Sequence, residues 1–343
     1  MRAFVLALVL ILDAAVAAGF PVEEETLFPS AEPELRVLSI LSTTDTSVLQ
    51  PLIADFQSRE PGVAVRYTVA NSQAVFSAIH DEGLAFDLVI SSAMDLQMKL
   101  ANDGFAASYG SGPTAQLPAW AHWQNRLFAF AQENVVLIAS RSGFGGLPLP
   151  QTRRDLIEVL RDNPDRFRGR IGTYNPELSG AGYLFATQDA RQSDSFWRLA
   201  EVMGGLAPRL YTTSNEMITD LKQGQLVLAY NVLGSYAEPR LDGDPDAEVI
   251  ELEDYTLTLL RTGLIPVSAR APDLGGRFLD FLLGPDGQRL LRDKAGLPPI
   301  DEVALSRGPH LRPMRLEPGL LVFLDRLKRR GFLDEWTAAL SRN

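Results

Sequence analysis

The chain has 343 residues, 46% hydrophobic and 22% charged, a globular composition long enough for two domains of ordinary size and a substantial core. Its 32 basic and 43 acidic side chains give a formal net charge of −11, so nucleic acid would meet net repulsion, although a few oriented N–H groups can still bind a small anion. With no cysteine, disulfides and a lipid-bearing cysteine are excluded, and His80, His122 and His310 make no zinc-like spacing, so neither metal nor cofactor is expected.

Met1-Arg2, the apolar run FVLALVLIL over 4–12 and the small residues Ala15 to Ala18 predict a signal peptide over residues 1–18 and an exported, soluble, monomeric product. The run is ended by Asp13 and is too short to cross a bilayer core of ~30 Å. Residues 19–34, GFPVEEETLFPSAEPE, combine Pro and Glu clusters without periodicity and read as a flexible N-terminal arm.

The body opens as βαβαβ: strand 35–42, helix 47–60, strand 63–69, helix 72–82 and strand 86–90. Such units build parallel sheets flanked by helices, with ligands beyond the carboxyl ends of the strands, which points to the loops STTDT (42–46) and SSAMD (91–95). A second cycle follows: strand 170–174, the loop and helix NPELSGAGYLF, helix 195–205, strand RLYTT, helix 214–224 and strand 226–232. Between the cycles lie LFAFAQENVVLIAS (127–140) and LTLLRTGLIPV (257–267), two extended apolar stretches suited to carry the chain from one half to the other. Two crossings make the first domain discontinuous. PDLGGRFLDFLLG (272–284) and PDGQRLLRDKAG (285–296) begin with Pro-Asp as helices do and return to the first half. In the tail, Leu320, Leu324 and Leu327, a break at Gly331, then Leu333, Trp336 and Leu340 predict two short amphipathic helices, either packed on the first lobe or docking a partner.

The stretches LSTTDTSVLQPLIADFQ, DLVISSAMDLQMKLANDG, RLFAFAQENVVLI, NPELSGAGYLF and AYNVLGSYA, taken in order, resemble periplasmic solute-binding proteins of ABC transporters over roughly residues 35–300, in the group with ferric-ion, hexose-phosphate and aminophosphonate binders. The resemblance implies an α/β, two-lobed, type II-like fold, each lobe a sheet flanked by helices with a ligand cleft between them. It also implies a periplasmic location, hinge closure, delivery to an inner-membrane permease and no covalent chemistry. The expected division is lobe 1 at 35–138 and 258–310, lobe 2 at 139–257, and an extension 311–343 on lobe 1. A sensing adapter that presents the same solute to a sensor kinase fits the sequence as well.

In Leu178-Ser-Gly-Ala-Gly-Tyr183, a nucleophile elbow would need Gly where Glu177 stands, and a Walker loop would need Gly-Lys-Ser/Thr. Two readings remain: Ser179, Gly180, Ala181 and Gly182 form an anion cradle at a helix start, or Ser179 is a plain N-cap. Ser42, Thr43 and Thr44 are either ligand hydroxyls or an ordinary Ser/Thr-rich loop, with Asp45 or Thr46 capping the next helix. Ser91 and Ser92 lie where family members contact ligand, or are solvated turn residues. Asn231, a polar amide ending an apolar strand, needs partners, and Tyr236 is either ligand-facing or packed. Ferric binders of the group carry adjacent tyrosines near here; this chain has Gly234-Ser235-Tyr236, which argues against iron. Gln132 and Glu133 are candidates for orienting ligand or for the hinge, and WAHWQN (120–125) for a cleft wall or a surface aromatic cluster. The ligand expected is a small anion bearing phosphate, phosphonate or carboxylate.

Overall fold

The structure, a computed structural model, describes residues 20–33, 36–301, 305 and 308–341; the signal segment expected over 1–18 lies outside them. The first elements are β1 (Glu24–Phe28), β2 (Arg36–Ser42), α1 (Thr46–Arg59), β3 (Val63–Val69), α2 (Ser72–His80), β4 (Leu88–Ser91), α3 (Met94–Asn102), β5 (His122–Trp123) and β6 (Leu127–Ser140). Next come α4 (Arg141–Phe144), α5 (Arg153–Asp162), α6 (Pro164–Phe167), β7 (Ile171–Tyr174), α7 (Gly180–Gln192), α8 (Ser195–Gly204), β8 (Arg209–Tyr211), α9 (Ser214–Lys222), β9 (Leu228–Leu233), α10 (Gly234–Leu241) and β10 (Ala247–Ile250). The chain ends with β11 (Thr256–Leu264), α11 (Pro272–Leu283), α12 (Pro285–Ala295), β12 (Leu311–Pro313), a 3-10 segment at Pro318–Leu324 and α13 (Arg326–Leu340).

The apolar strands predicted for the first βαβαβ unit form as parallel neighbours, Leu38 opposite Val65 and Ile40 opposite Leu88. Helices cover the sheet, so its central strands are buried on both faces and read as continuous apolar runs. On one side, Leu49 and Phe56 of α1 meet Phe278 and Leu282 of α11 and Leu291 of α12. The second half repeats the scheme, with β7 parallel to both β8 and β9.

β6 carries the chain between the halves. At ~3.3 Å per residue it reaches ~46 Å, pairing with β11 up to Asn134 and with β9 from Val135 onward. The return is different from the sequence expectation. β11 does not cross: it lies wholly in the first sheet, wedged between β6 and β4, and it reads as an apolar run because both of its faces are buried. The return falls between β10, paired with Leu137–Ser140 of β6, and Thr256.

Two further expectations are corrected. Residues 24–28 of the expected flexible arm form β1, antiparallel to β3 with Glu24 opposite Val69; the free edge of β3 supplies the hydrogen bonds that the Glu-rich sequence does not advertise. The tail forms one α-helix running through Gly331, whose flank is open space, preceded by the 3-10 segment. The 3-10 segment lies on α3, but α13 packs on the second half: Phe332 and Trp336 stack on Phe196, and a Cβ on Gly204 of α8 would come within 2.5 Å of the Ala339 carbonyl.

Candidate functional site

Between the halves lies a cavity of about 230 Å³. The first half lines it with Glu23, Thr43, Asp45, Ala70, Asn71, Ser72 and Ser92; the second with Tyr174, Ser179, Ala181, Thr212 to Asn215, Leu233 and Tyr236. Four of these residues, Asp45, Asn71, Ser179 and Thr213, are N-caps, of α1, α2, α7 and α9. The strands of each half end here and the following helices start here, so the positive ends of four helix dipoles converge on the cavity.

Each hydroxyl has a local reason for its direction. Ser179 Oγ accepts the N–H of Gly182 at 3.2 Å, so it caps α7 while lining the cleft. Thr213 and Glu216 form a capping box on α9. The Tyr174 and Ser214 hydroxyls share a hydrogen bond of 2.7 Å, and Ser214 Oγ accepts the Leu233 N–H at 2.9 Å. In the first half, Thr43 Oγ1 accepts the Ser92 N–H at 3.2 Å and Asn71 Oδ1 accepts the Ala74 N–H at 2.9 Å.

The halves touch across the cleft. The Ala181 N–H donates to Ser72 Oγ at 3.3 Å, Asn215 Nδ2 donates to Asp45 Oδ2 at 2.6 Å, and the Asp45 N–H donates to the Tyr236 hydroxyl at 3.3 Å. A Cβ on Gly180 would sit 2.7 Å from Leu96 Cδ1 and 2.7 Å from Ser72 Oγ of the other half. The glycine therefore serves close approach of the two halves. Gly182 packs instead against its own half, where a Cβ would come 2.5 Å from Tyr174 Cβ.

Of the residues expected from sequence, Thr43, Ser92, Ser179, Ala181 and Tyr236 meet at the cavity, and six do not line it. Gly180 and Gly182 have the packing roles just described. Ser42 Oγ accepts the Thr44 N–H and Ser91 Oγ accepts the Ala93 N–H, each closing its own loop. Thr44 Oγ1 accepts from Arg261 at 2.5 Å. Asn231 sits at φ +65°, a left-handed conformation that favours Asn among non-glycine residues, and its amide donates to Asp189 at 2.8 Å. Residues that sequence reasoning left out include Glu23, Asn71, Ser72, Tyr174 and Thr212 to Asn215.

Two buried ionic clusters brace the walls. In the second half, Arg153 donates to Asp189 at 3.0 Å and to the Tyr230 hydroxyl at 2.6 Å, and that hydroxyl donates to Asp189 at 2.9 Å. At the crossing, Arg261 pairs with Glu133 at 2.6 Å, and the Ser235 hydroxyl also donates to Glu133. Glu133 is thus a strand-crossing residue tied to both halves; Gln132 accepts the Asp301 N–H and does not line the cavity. Trp120 and Trp123 pack against a core cluster that draws on both halves, and neither lines the cavity.

The cavity has no cationic side chain in its lining, and it contains two carboxylates. Burial, then repulsion from Asp45 and Glu216, raises the Glu23 carboxyl, opposed by the Asn71 N–H. The Tyr174 and Tyr236 phenols are both pushed up by burial. No histidine lines the cavity to serve Ser179 as a base, and among the described residues no group of three His, Cys, Asp or Glu is placed to hold a metal.

Comparison with known proteins agrees with this binding geometry. The family model for bacterial extracellular solute-binding proteins matches residues 37–296. No curated protein sequence matches. A substrate binding protein of the ABC transporter from Agrobacterium tumefaciens is similar at 32% identity and TM-score 0.88, over 92% of this chain and 98% of that one. The periplasmic binding protein AfuA from Actinobacillus pleuropneumoniae, with fructose-6-phosphate bound, shares the fold at 15% identity and TM-score 0.73, over 90% and 100%. A periplasmic thiamin binding protein does so at 15% identity and TM-score 0.69, over 92% and 99%.

Proposed function

We propose, from the premise that the chain belongs to the family of bacterial extracellular solute-binding proteins, that it is the periplasmic substrate-binding component of an ABC transporter, a monomer exported by residues 1–18. It binds rather than transforms its solute, closes around it by a hinge in the β6 crossing and the 251–255 return, and hands it to a permease. The observation that carries the reading is the cavity on which four helix N-caps from two halves converge. Oriented N–H groups at helix starts favour an anionic group and need no arginine. The carboxylate of Glu23 calls in addition for hydrogen-bond donors, so the solute is a small anion that also carries hydroxyl or amino groups. The contact residues are Thr43, Asn71, Ser72, Ser92, Ser179, Ala181, Ser214 and Tyr236. Iron(III) is the weaker reading, because Gly234-Ser235-Tyr236 stands where ferric binders of the group carry adjacent tyrosines.

Native mass spectrometry of protein taken from the periplasm, with the released molecule identified after denaturation, is the direct test. A bound anion of this type, restoring about 2.7 kcal/mol of stability when added back at a hundred times its Kd, is the expected result. A bound molecule without an anionic group, or a phenolate-to-iron charge-transfer band on adding Fe(III), would overturn the ligand assignment.

A further inference from the structure

Three of the four N-cap residues on the cleft behave as caps. Asn71, Ser179 and Thr213 each accept a backbone N–H of their own helix, and Asp45 does not. Within α1 the Val48 N–H is met by the Asp45 backbone carbonyl at 3.0 Å. The carboxylate has turned away from α1 and across the cleft.

There it meets a prepared set of donors. Asn215 Nδ2 donates to Oδ2 at 2.6 Å, Arg240 lies 3.4 Å from the same oxygen, and the Tyr236 hydroxyl is 3.5 Å from Oδ1. Arg240 also donates to the Asn215 side-chain oxygen, which fixes the amide with its nitrogen toward Asp45, and its guanidinium lies 5.6 Å over the Tyr236 ring. All three partners belong to the second half, on α9 and α10, whereas Asp45 belongs to the first. The only salt bridge of Arg240 among the described residues is to Asp45.

We propose that Asp45, at the edge of the cavity it lines, is a two-position latch that sets the balance between open and closed lobes, and hence the affinity for solute. Closed, its carboxylate bridges to Asn215, Arg240 and Tyr236; open, those partners withdraw and the carboxylate returns to cap α1, a role for which Asp is among the preferred residues. The cap available on opening keeps the latch reversible, since neither state leaves the carboxylate without donors. Each state being stabilised by a different set of donors is what makes the element bistable. This rests on the hinge-closure reading above, and the test separates the two.

The chain, stripped of solute by unfolding in urea and refolding, is measured by small-angle scattering as wild type, Asp45→Ser, Arg240→Gln, the double variant and Gly180→Val. Serine caps a helix about as well as aspartate but is too short to reach Asn215, so Asp45→Ser removes the latch and spares α1; unchanged far-ultraviolet circular dichroism checks the fold. Gly180→Val drives a side chain into Leu96 and Ser72 and gives the open reference. The expected result is a compact wild type, single variants expanded toward Gly180→Val, and a double variant no larger than either single one. Asp45→Ser as compact as wild type beside an expanded Gly180→Val rejects the latch and leaves the hinge. A wild type already as large as Gly180→Val also rejects it, because the carboxylate then fails to hold the empty cleft. If Gly180→Val itself stays compact, the halves do not part and the hinge reading falls along with the latch.

Discussion

Asp95 shows how one residue's environment sets its chemistry. It sits in the first turn of α3, 2% exposed, where its carboxylate accepts the Leu96 N–H at 2.9 Å. Burial outweighs that bond and the distant pull of Arg329, and raises the group from 3.8 to about 7. Because the folded pKa lies above the unfolded one, the folded chain holds a proton between those values that the unfolded chain has released. Stability is therefore untouched below about pH 3.8, declines as pH rises toward 7, and carries the whole penalty above it. Asp95→Asn keeps an oxygen for Leu96 and removes the titration. It should raise the melting temperature clearly at pH 8, by an amount corresponding to a few kcal/mol, and hardly at pH 4; equal gains at both pH values would refute the assignment. The same scale explains which site residues could be read in advance. A hydroxyl in a loop after a buried strand is legible as a candidate, and Thr43, Ser92 and Ser179 do reach the cavity. Which neighbouring hydroxyl turns inward is not legible, since Thr44 is claimed by Arg261, 217 residues away. Asp45 was hidden for a similar reason: an acid before a helix reads as a cap, and its partners lie 170 and 195 residues further along.

At the level of elements, apolar strands and capped helices follow directly from local pattern. Gly296 ends α12 at φ +63° after a Pro-Asp start, as the sequence suggests. What local pattern misses is whatever a distant partner decides. β1 exists because β3 has a free edge, and the stretch 257–267 looks like a crossing because a central strand buried on both faces reads as one continuous apolar run. Gly331 fails to break α13 because Phe332 and Trp336, on either side of the next turn, are both anchored in one aromatic cluster with Phe196. That anchoring makes Gly204 the sensitive position, since a Cβ there would lie 2.5 Å from the Ala339 carbonyl and 2.6 Å from Leu340 Cα. Gly204→Ala should lift α13 from α8, lower the melting temperature and open Lys328, Arg329 and Arg330 to trypsin, whereas Trp336→Ala should cost roughly 3–5 kcal/mol by cavity formation. Unaltered proteolysis in Gly204→Ala would show that the helix is not seated as described.

For the molecule as a whole, the question is what makes two sheets one body. β6 runs through both, and at its midpoint Glu133 holds the Arg261 guanidinium, both side chains 1% exposed. Arg261 donates at 2.5 Å to Thr44 in the first half and lies 3.4 Å from Ser235 in the second, so one cation ties a loop on one side of the cleft to the start of α10 on the other. Removing its counter-charge leaves a buried, uncompensated guanidinium, a loss of roughly 3–5 kcal/mol. The second buried pair, Arg153 with Asp189, is of the same kind but has its partners in the second half and the return segment, through Tyr230, Asn231 and Asp254. The two pairs should therefore fail differently. Hydrogen exchange on Glu133→Gln should rise together at residues 42–45 and 233–236, because a single group released both segments. In Asp189→Asn it should rise around 230–236 while 42–45 stays at the wild-type rate. If Glu133→Gln loosened one segment alone, Arg261 would be a local packing group and the coupling of the lobes would have to reside in the β6 backbone.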